Sequence, residues 1–356
     1  LARAATRLCP GFSVVEVRTL AADVDVADET HKAAGYGAPR RVRLRADDGR
    51  ERSLVFHVAT ANDFGHDRRA DRAAEQLLAY DTFARIPRHV RALDVGAIGP
   101  EGGLVSLAGA GELYLVTEWA DGTPYADDLR RIAAERRARP GDRERCDALA
   151  GYLVELHRRR DGRPAQYRRA VRDLVGSGEG IFGMVDGYGD DDTPGASRAR
   201  LHAIERRCLD WRWKLRAAEP RATTIHGDFH PFNVVFGEGR QFTLLDASRG
   251  CVGEPADDVT AMAVNYVFFA LDHEGAWAGG LGELWHRFWR GCLDGSGDAG
   301  LLAVAAPFFA WRGLVVCSPA FYPSLAASAR DRMLTLVERA LDAERFDPAL
   351  ADEVMR

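Results

Sequence analysis

Three oxygen-bearing side chains stand at fixed offsets in the second half of the chain. In His226-Gly227-Asp228-Phe229-His230-Pro231-Phe232-Asn233, Asp228 precedes Asn233 by five positions. The run Phe242-Thr243-Leu244-Leu245-Asp246 then brings a second carboxylate eighteen positions after the first. These types and intervals suit phosphoryl transfer. One Asp accepts the proton of an attacking hydroxyl, while an Asn and a later Asp hold the magnesium that neutralises nucleotide phosphates. Asp228 is therefore the candidate catalytic residue, and Asn233 and Asp246 are the candidate metal ligands. Magnesium is hard and octahedral and takes oxygen donors of this kind. The transferred group passes through a loose transition state, so positioning and electrostatics do most of the work. His226 reads as a buried imidazole hydrogen-bonded to backbone. Asp228 with His230 also spells G-D-x-H, found in metallophosphoesterases, but the G-N-H block of a two-metal site is missing.

The 356 residues suffice for large cores and two lobes. With 46% hydrophobic and 28% charged residues, the composition is that of an ordinary globular protein. A net charge of −5 argues against nucleic acid as a partner. Only Lys32 and Lys214 are lysines; every other basic residue is Arg. Six cysteines (Cys9, Cys146, Cys208, Cys251, Cys292, Cys317) are scattered without a C-x-x-C pair, which suits free thiols in a reducing compartment. No apolar run reaches the roughly 18 residues of a membrane span, and no signal-peptide core opens the sequence. The expected place is the cytoplasm, with no membrane partner. Leu1 at the first position fits a processed, truncated or alternatively initiated start.

The octad matches H-G-D-x-x-x-x-N at every fixed letter, and Gly253, Pro255 and Asp258 match G-x-P-x-x-D downstream. On these letters the chain resembles the aminoglycoside phosphotransferase and choline kinase-like family of small-molecule kinases. The resemblance implies an α+β, two-lobed protein kinase-like fold. Residues 1–117 would form an antiparallel, nucleotide-binding N-lobe with one helix. Residues 118–356 would form a mainly helical C-lobe with the catalytic loop and the substrate-binding helices, and nucleotide would sit between the lobes. The implied reaction moves the γ-phosphoryl group of ATP, as its Mg2+ complex, to a hydroxyl of a small molecule; GTP stays open as the donor. The acceptor and the oligomeric state are not legible. Two alternatives differ in class: a pseudokinase or regulatory nucleotide-binding module, and a kinase-fold nucleotidyl transferase.

Several elements must position these groups. Alternation predicts strands over 12–20, 40–45 and 53–59, with a turn at Asp47-Asp48-Gly49. The loop Lys32–Gly37 falls where the family's phosphate-covering loop lies, which makes Lys32, Gly35 and Gly37 candidates for nucleotide contact. In the third strand, period two places Val55 and His57 on one face. Val55 would cover the adenine, and His57 would stand where kinases carry a phosphate-binding Lys. Three accounts compete: a protonated His57 serves, Lys32 reaches in from the loop, or catalysis is weak or lost. An amphipathic helix over 62–85 offers Glu75 where kinases offer a Glu to that Lys.

Further strands are expected over 90–98, 103–108 and 112–122. The last would be the family's hinge, with Glu118, Trp119 and Ala120 as adenine-edge candidates. The rest is expected to be mainly helical, with helices over 145–159, 197–215 and 259–271. A Gly- and Asp-rich stretch over 173–197 reads as a substrate-side lid or a surface loop. Asp258 reads as a helix cap, His157 as packed or capping, and Arg249 as a partner of phosphate or of Asp257. Most aromatics of 277–344 read as core.

Overall fold

A computed structural model describes residues 6–20, 39–160, 162–189, 191–247, 249 and 252–355. The chain is α+β, and it divides into two compact units, Leu1–Thr117 and Glu118–Arg356.

In the first unit, β1 (Phe12–Thr19), β2 (Arg40–Ala46) and β3 (Glu51–Phe56) form an antiparallel sheet in the order β1-β2-β3. Strand alternation decides its two faces. Val42, Leu44 and Ala46 of β2 join Cys9 and Phe12 in a small core, and Leu54 and Phe56 of β3 pack on it. The arginines between them, Arg41, Arg43 and Arg45, point the other way. The β2–β3 turn falls at Asp47-Asp48-Gly49, and Gly49 takes φ 87°, a value glycine adopts without a Cβ clash. The helix α1 (Arg69–Thr82) starts where Arg68 N–H meets the Asp71 carboxylate at 2.9 Å. Strands β4 (Gly96–Ile98) and β5 (Leu104–Ser106) form a separate antiparallel pair.

One expected element is absent. Residues 112–122 form no strand among the described residues, and Leu113, Tyr114, Leu115 and Val116 are 64–90% exposed. An unbroken apolar run signals a strand only if neighbours pair with it and cover both its faces.

The second unit opens with β6 (Thr123–Pro124), α2 (Tyr125–Glu135) and α3 (Pro140–Leu156). Helix α3 starts at Pro140, ahead of the helix expected over 145–159, because proline at the first helical position costs no hydrogen bond. Helices α4 (Pro164–Gly176), α5 (Ile181–Asp186) and α6 (Arg198–Leu215) follow. The stretch 173–197 is thus partly helical. Ile181, Met184 and Tyr188 bury there, and the Tyr188 hydroxyl donates to the Leu314 carbonyl at 2.7 Å. Its glycines mask this anchoring in the sequence.

Two small sheets frame the site. Strands β7 (Thr223–Thr224) and β10 (Val252–Gly253) pair antiparallel, as do β6, β8 (Val234–Phe236) and β9 (Phe242–Leu244) in the order β6-β8-β9. The remainder is α7 (Pro255–Leu271), α8 (Gly282–Ser296), α9 (Leu301–Cys317), α10 (Ala327–Asp342) and α11 (Leu350–Met355). Helices α7 and α9 are apolar nearly all round and run through the core, as that pattern requires. Trp285, Trp289, Phe309 and Phe346 interlock there at centroid distances of 5.0–6.4 Å. Phe321 is the exception among the aromatics read as core, at 58% exposure. Cys9, Cys146, Cys208, Cys292 and Cys317 are buried free thiols, and Cys251 lies outside the described residues. Among the described residues no helix is long and apolar enough to cross a membrane.

A half-buried charge cluster ties this unit together. The Arg221 guanidinium donates to Glu254 at 2.7–3.0 Å and to Asp298 at 2.7 and 2.8 Å, while Arg160 reaches Asp298 at 2.8 Å. Burial raises the Asp298 carboxyl, but the Arg221 hydrogen bonds and charge outweigh it and hold the group below its ordinary range. A carboxyl depressed in the folded state stabilises above its unfolded pKa, and the benefit is lost as pH falls through the folded value. Asp298→Asn is expected to cost about 1.5–3 kcal/mol near neutral pH, the range for hydrogen bonds to charged groups. Urea unfolding at descending pH should show the gap to wild type closing below the ordinary carboxylate range; a gap that stays constant contradicts this account.

Candidate active site

The catalytic-type loop lies between β7 and β8, and a buried carboxylate shapes it. Asp258, wholly buried in the first turn of α7, accepts from the His226 N–H at 2.9 Å and the Gly227 N–H at 2.8 Å. It also accepts from His157 Nε2, at the end of α3, at 2.9 Å. A carboxylate must be the acceptor there, so His157 Nε2 is the donor. Three donors on one carboxylate offset its desolvation. Asp258 therefore caps the loop, and the N-cap of its own helix is Glu254, whose side chain accepts from the Ala256 N–H. This corrects the reading of Asp258 as a helix cap. The carboxylate still gains from the positive end of the α7 dipole.

The loop then turns on Gly227, at φ 82°, where a side chain would be strained. His226 is buried, and its Nδ1 accepts from the Asp228 N–H at 3.2 Å, the backbone bond expected of it. The Asp228 carboxylate has three partners. Oδ1 accepts from Arg312 Nη1 of α9 at 2.6 Å. Oδ2 lies 3.2 Å from both His230 Nε2 and Asn233 Nδ2. Burial pushes this carboxyl up, but the His230 hydrogen bond and the Arg312 charge more than reverse it, leaving it well below the usual range.

Asn233 ends a short 3-10 turn, Pro231–Asn233, whose N-cap is His230. Its Nδ2 also donates to the Asp228 carbonyl at 3.1 Å. With the amide nitrogen so engaged, Oδ1 is left as the acceptor face. The hairpin supplies Asp246. Val234 pairs with Leu244, and the Leu245 N–H donates to the Asn233 carbonyl at 2.9 Å. Asn233 and Asp246 thus leave the same end of the β8–β9 ladder. Asp246 takes φ 51°, the left-handed region that Asp tolerates better than most residues. An amide oxygen and a carboxylate are the hard donors that a magnesium ion takes. Among the described residues no group of three or more His, Cys, Asp or Glu is placed to hold a metal.

The other predicted residues lie in the first unit or at the start of the second. Lys32, Gly35 and Gly37 lie outside the described residues. Val55 is 65% exposed on the face of β3 opposite the small core. His57 follows β3, and Gln76 Nε2 of α1 lies 3.5 Å from its Nδ1. Glu75 instead stands 3.6 Å from His66 Nε2. Glu118 and Trp119 are exposed and Ala120 is half-buried, and the Trp119 indole donates to Asp121 at 3.0 Å.

Sequence reasoning missed two partners of Asp228. His230 was visible only as part of another motif. Arg312 is far along the chain, yet it carries the only charge in seventeen residues of α9, and that was the available signal. Arg249 lies 4.0 Å above the Trp311 ring and 3.8 Å from Glu179.

The model of the phosphotransferase enzyme family matches residues 33–294, most of the chain, and the chain belongs to that family. Solved structures with a similar course include a glucosamine kinase, 14% identical over 93% of this chain and 91% of that one, at a TM-score of 0.40. A choline/ethanolamine kinase family protein from Mesorhizobium loti is 16% identical over 89% and 90%, at 0.36. The macrolide 2′-phosphotransferase MphH from Brachybacterium faecium is 16% identical over 96% and 97%, at 0.31. No protein of curated function matches the chain. The family assignment rests on the sequence match.

Asp258→Ala removes the acceptor of three buried donors. It is expected to lower folding stability by about 3–5 kcal/mol, the cost of breaking a buried charged contact. Equilibrium urea unfolding measures it, and a loss under about 1 kcal/mol would mean that Asp258 does not hold the loop.

Proposed function

We propose that this chain transfers the γ-phosphoryl group of ATP to a hydroxyl of a small molecule. The observation that carries the reading is the convergence of Asp228 and Asn233 in direct contact, with Asp246 leaving the same hairpin end as Asn233. In this reading residues 1–117 serve the nucleotide, and residues 118–356 supply the catalytic loop and the acceptor-side helices. Asp228 faces the incoming hydroxyl. With its carboxyl held low, it works mainly by orienting that hydroxyl and takes the proton late, as the bond to phosphorus forms. Asn233 Oδ1 and Asp246 would hold Mg2+, which when bound neutralises phosphate charge. Val55 and the backbone of Glu118, Trp119 and Ala120 would contact the base, and Lys32, Gly35, Gly37 or His57 the phosphates. Glu75, paired with His66, would orient that phosphate-binding group only by exchanging partners; Gln76 stands nearer to His57. GTP is the alternative donor. Five buried free thiols fit a reducing compartment, and we place the protein in the cytoplasm.

A panel of sugars, amino alcohols, amino acids, nucleosides and aminoglycosides, scored by phosphorylated product mass, tests the reading. A gain of one phosphoryl group is expected; a nucleotidyl gain or no product with any acceptor opposes it. Asp228→Asn should lower the transfer rate by about 10²–10⁴ while nucleotide affinity holds. Asp246→Ala should raise the Mg2+ concentration needed for half-maximal rate about ten-fold or more, as expected on loss of one charged ligand. Calorimetric titration of ATP into Lys32→Met and His57→Ala separates the phosphate-binding candidates. If neither change weakens binding, both assignments fail.

A further inference from the structure

The site contains a buried cation that the reaction scheme above does not use. Arg312 is 5% exposed on α9, a helix whose other sixteen residues carry no charge. Its guanidinium binds three acceptors on two elements. Nη1 donates to Asp228 Oδ1 at 2.6 Å, and Nη2 donates to the Gly227 carbonyl at 3.0 Å and to Asp257 Oδ1 at 2.9 Å. The indole of Trp311 covers it, with the guanidinium carbon 3.7 Å from the ring centroid. Trp311 is fixed in turn by donating from Nε1 to the Glu179 carbonyl at 2.8 Å.

Burying a guanidinium is costly, and a hydrophobic side chain would pack an apolar helix at less cost. The geometry therefore demands a use for the charge. Asp228 Oδ1 has one short, charge-assisted bond, whereas Oδ2 has only contacts of 3.2 Å. A fork anchored on the Gly227 carbonyl and on Asp257 cannot follow Asp228 into another rotamer. It locks the carboxylate plane and leaves Oδ2 as the oxygen for a substrate.

We propose that Arg312 is a positioning residue for phosphoryl transfer: it pins Oδ1 of Asp228 so that Oδ2 addresses the acceptor hydroxyl. This inference rests on the phosphotransferase reading of the same site. It places the control of Asp228 on an acceptor-side helix of the second unit, apart from the candidate metal ligands.

The test is a double-mutant cycle read in acceptor-free ATP hydrolysis and in transfer to the best acceptor of the panel. Arg312→Gln is expected to lower kcat about 100-fold, the scale of a misplaced reacting group. KM for ATP and for the acceptor should stay within about threefold. Arg312→Lys should retain part of the rate, because it keeps the charge but not the fork. In the Asp228→Asn background the same change should cost less than about threefold, since residues acting as a unit are non-additive. Full kcat in Arg312→Gln, or full additivity with Asp228→Asn, overturns the proposal. A wild-type chain that transfers nothing to acceptor or water counts against the phosphotransferase reading. The Arg312–Asp228 tie is then read by the same cycle in urea unfolding, where zero coupling overturns it.

Discussion

A buried carboxylate needs donors, and Asp258 takes two of its three from the loop that carries Asp228. That requirement joins three elements distant in sequence: the end of α3 through His157, the loop at His226-Gly227, and the first turn of α7. A loop rich in backbone N–H groups would otherwise lie against an apolar core with those groups unpaired, at roughly 1–3 kcal/mol each. The clamp makes one loop conformation much cheaper than any other. Gly227 can then take its positive φ, and Asp228 and Asn233 follow within one turn of each other.

The charges around Asp228 differ in kind from those on the surface. Pairs such as Arg45–Glu51 or Arg158–Glu155 are exposed on both sides, where solvent screening leaves them little net effect. Arg312, Asp257 and Asp258 are each under 10% exposed. At that depth an unpaired charge is heavily penalised, so partners and geometry are fixed together. The stability gained by such a set is small compared with an apolar core, and its main effect is to hold one arrangement. A site that works by positioning needs that fixity more than it needs stability.

What the sequence revealed was local. The contact of Asn233 with Asp228 was legible because a tight turn translates spacing into proximity, and Asp246 was legible as the residue that follows the hairpin. The faces of β2 and β3 were legible because strand alternation follows from backbone geometry. Long-range partners were not. Arg312 lies 84 positions from Asp228, and nothing in either neighbourhood names the other. Asp258 was visible at its motif position, but its role depends on which residue ends the preceding turn, and there Glu254 takes the cap. The strand expected at 112–122 failed because an apolar run alone does not supply pairing partners. The helix within 173–197 was hidden because two buried side chains, Ile181 and Met184, outweigh the glycines around them.

The interval from Asn233 to Asp246 is less a count than a register. Val234 faces Leu244, Val235 faces Thr243 and Phe236 faces Phe242, and the ladder continues in the bond from Leu245 to Asn233. Phe236 and Val234 are buried by this pairing. Val235 between them is buried too, so a slip of one residue would repack all three side chains and also carry Asp246 away from Asn233. The same apolar burial that stabilises the hairpin therefore fixes the distance between the two candidate metal ligands. The turn at 237–241, whose Gly237 and Gly239 carbonyls accept from Arg145, closes the hairpin at the end away from both candidate ligands.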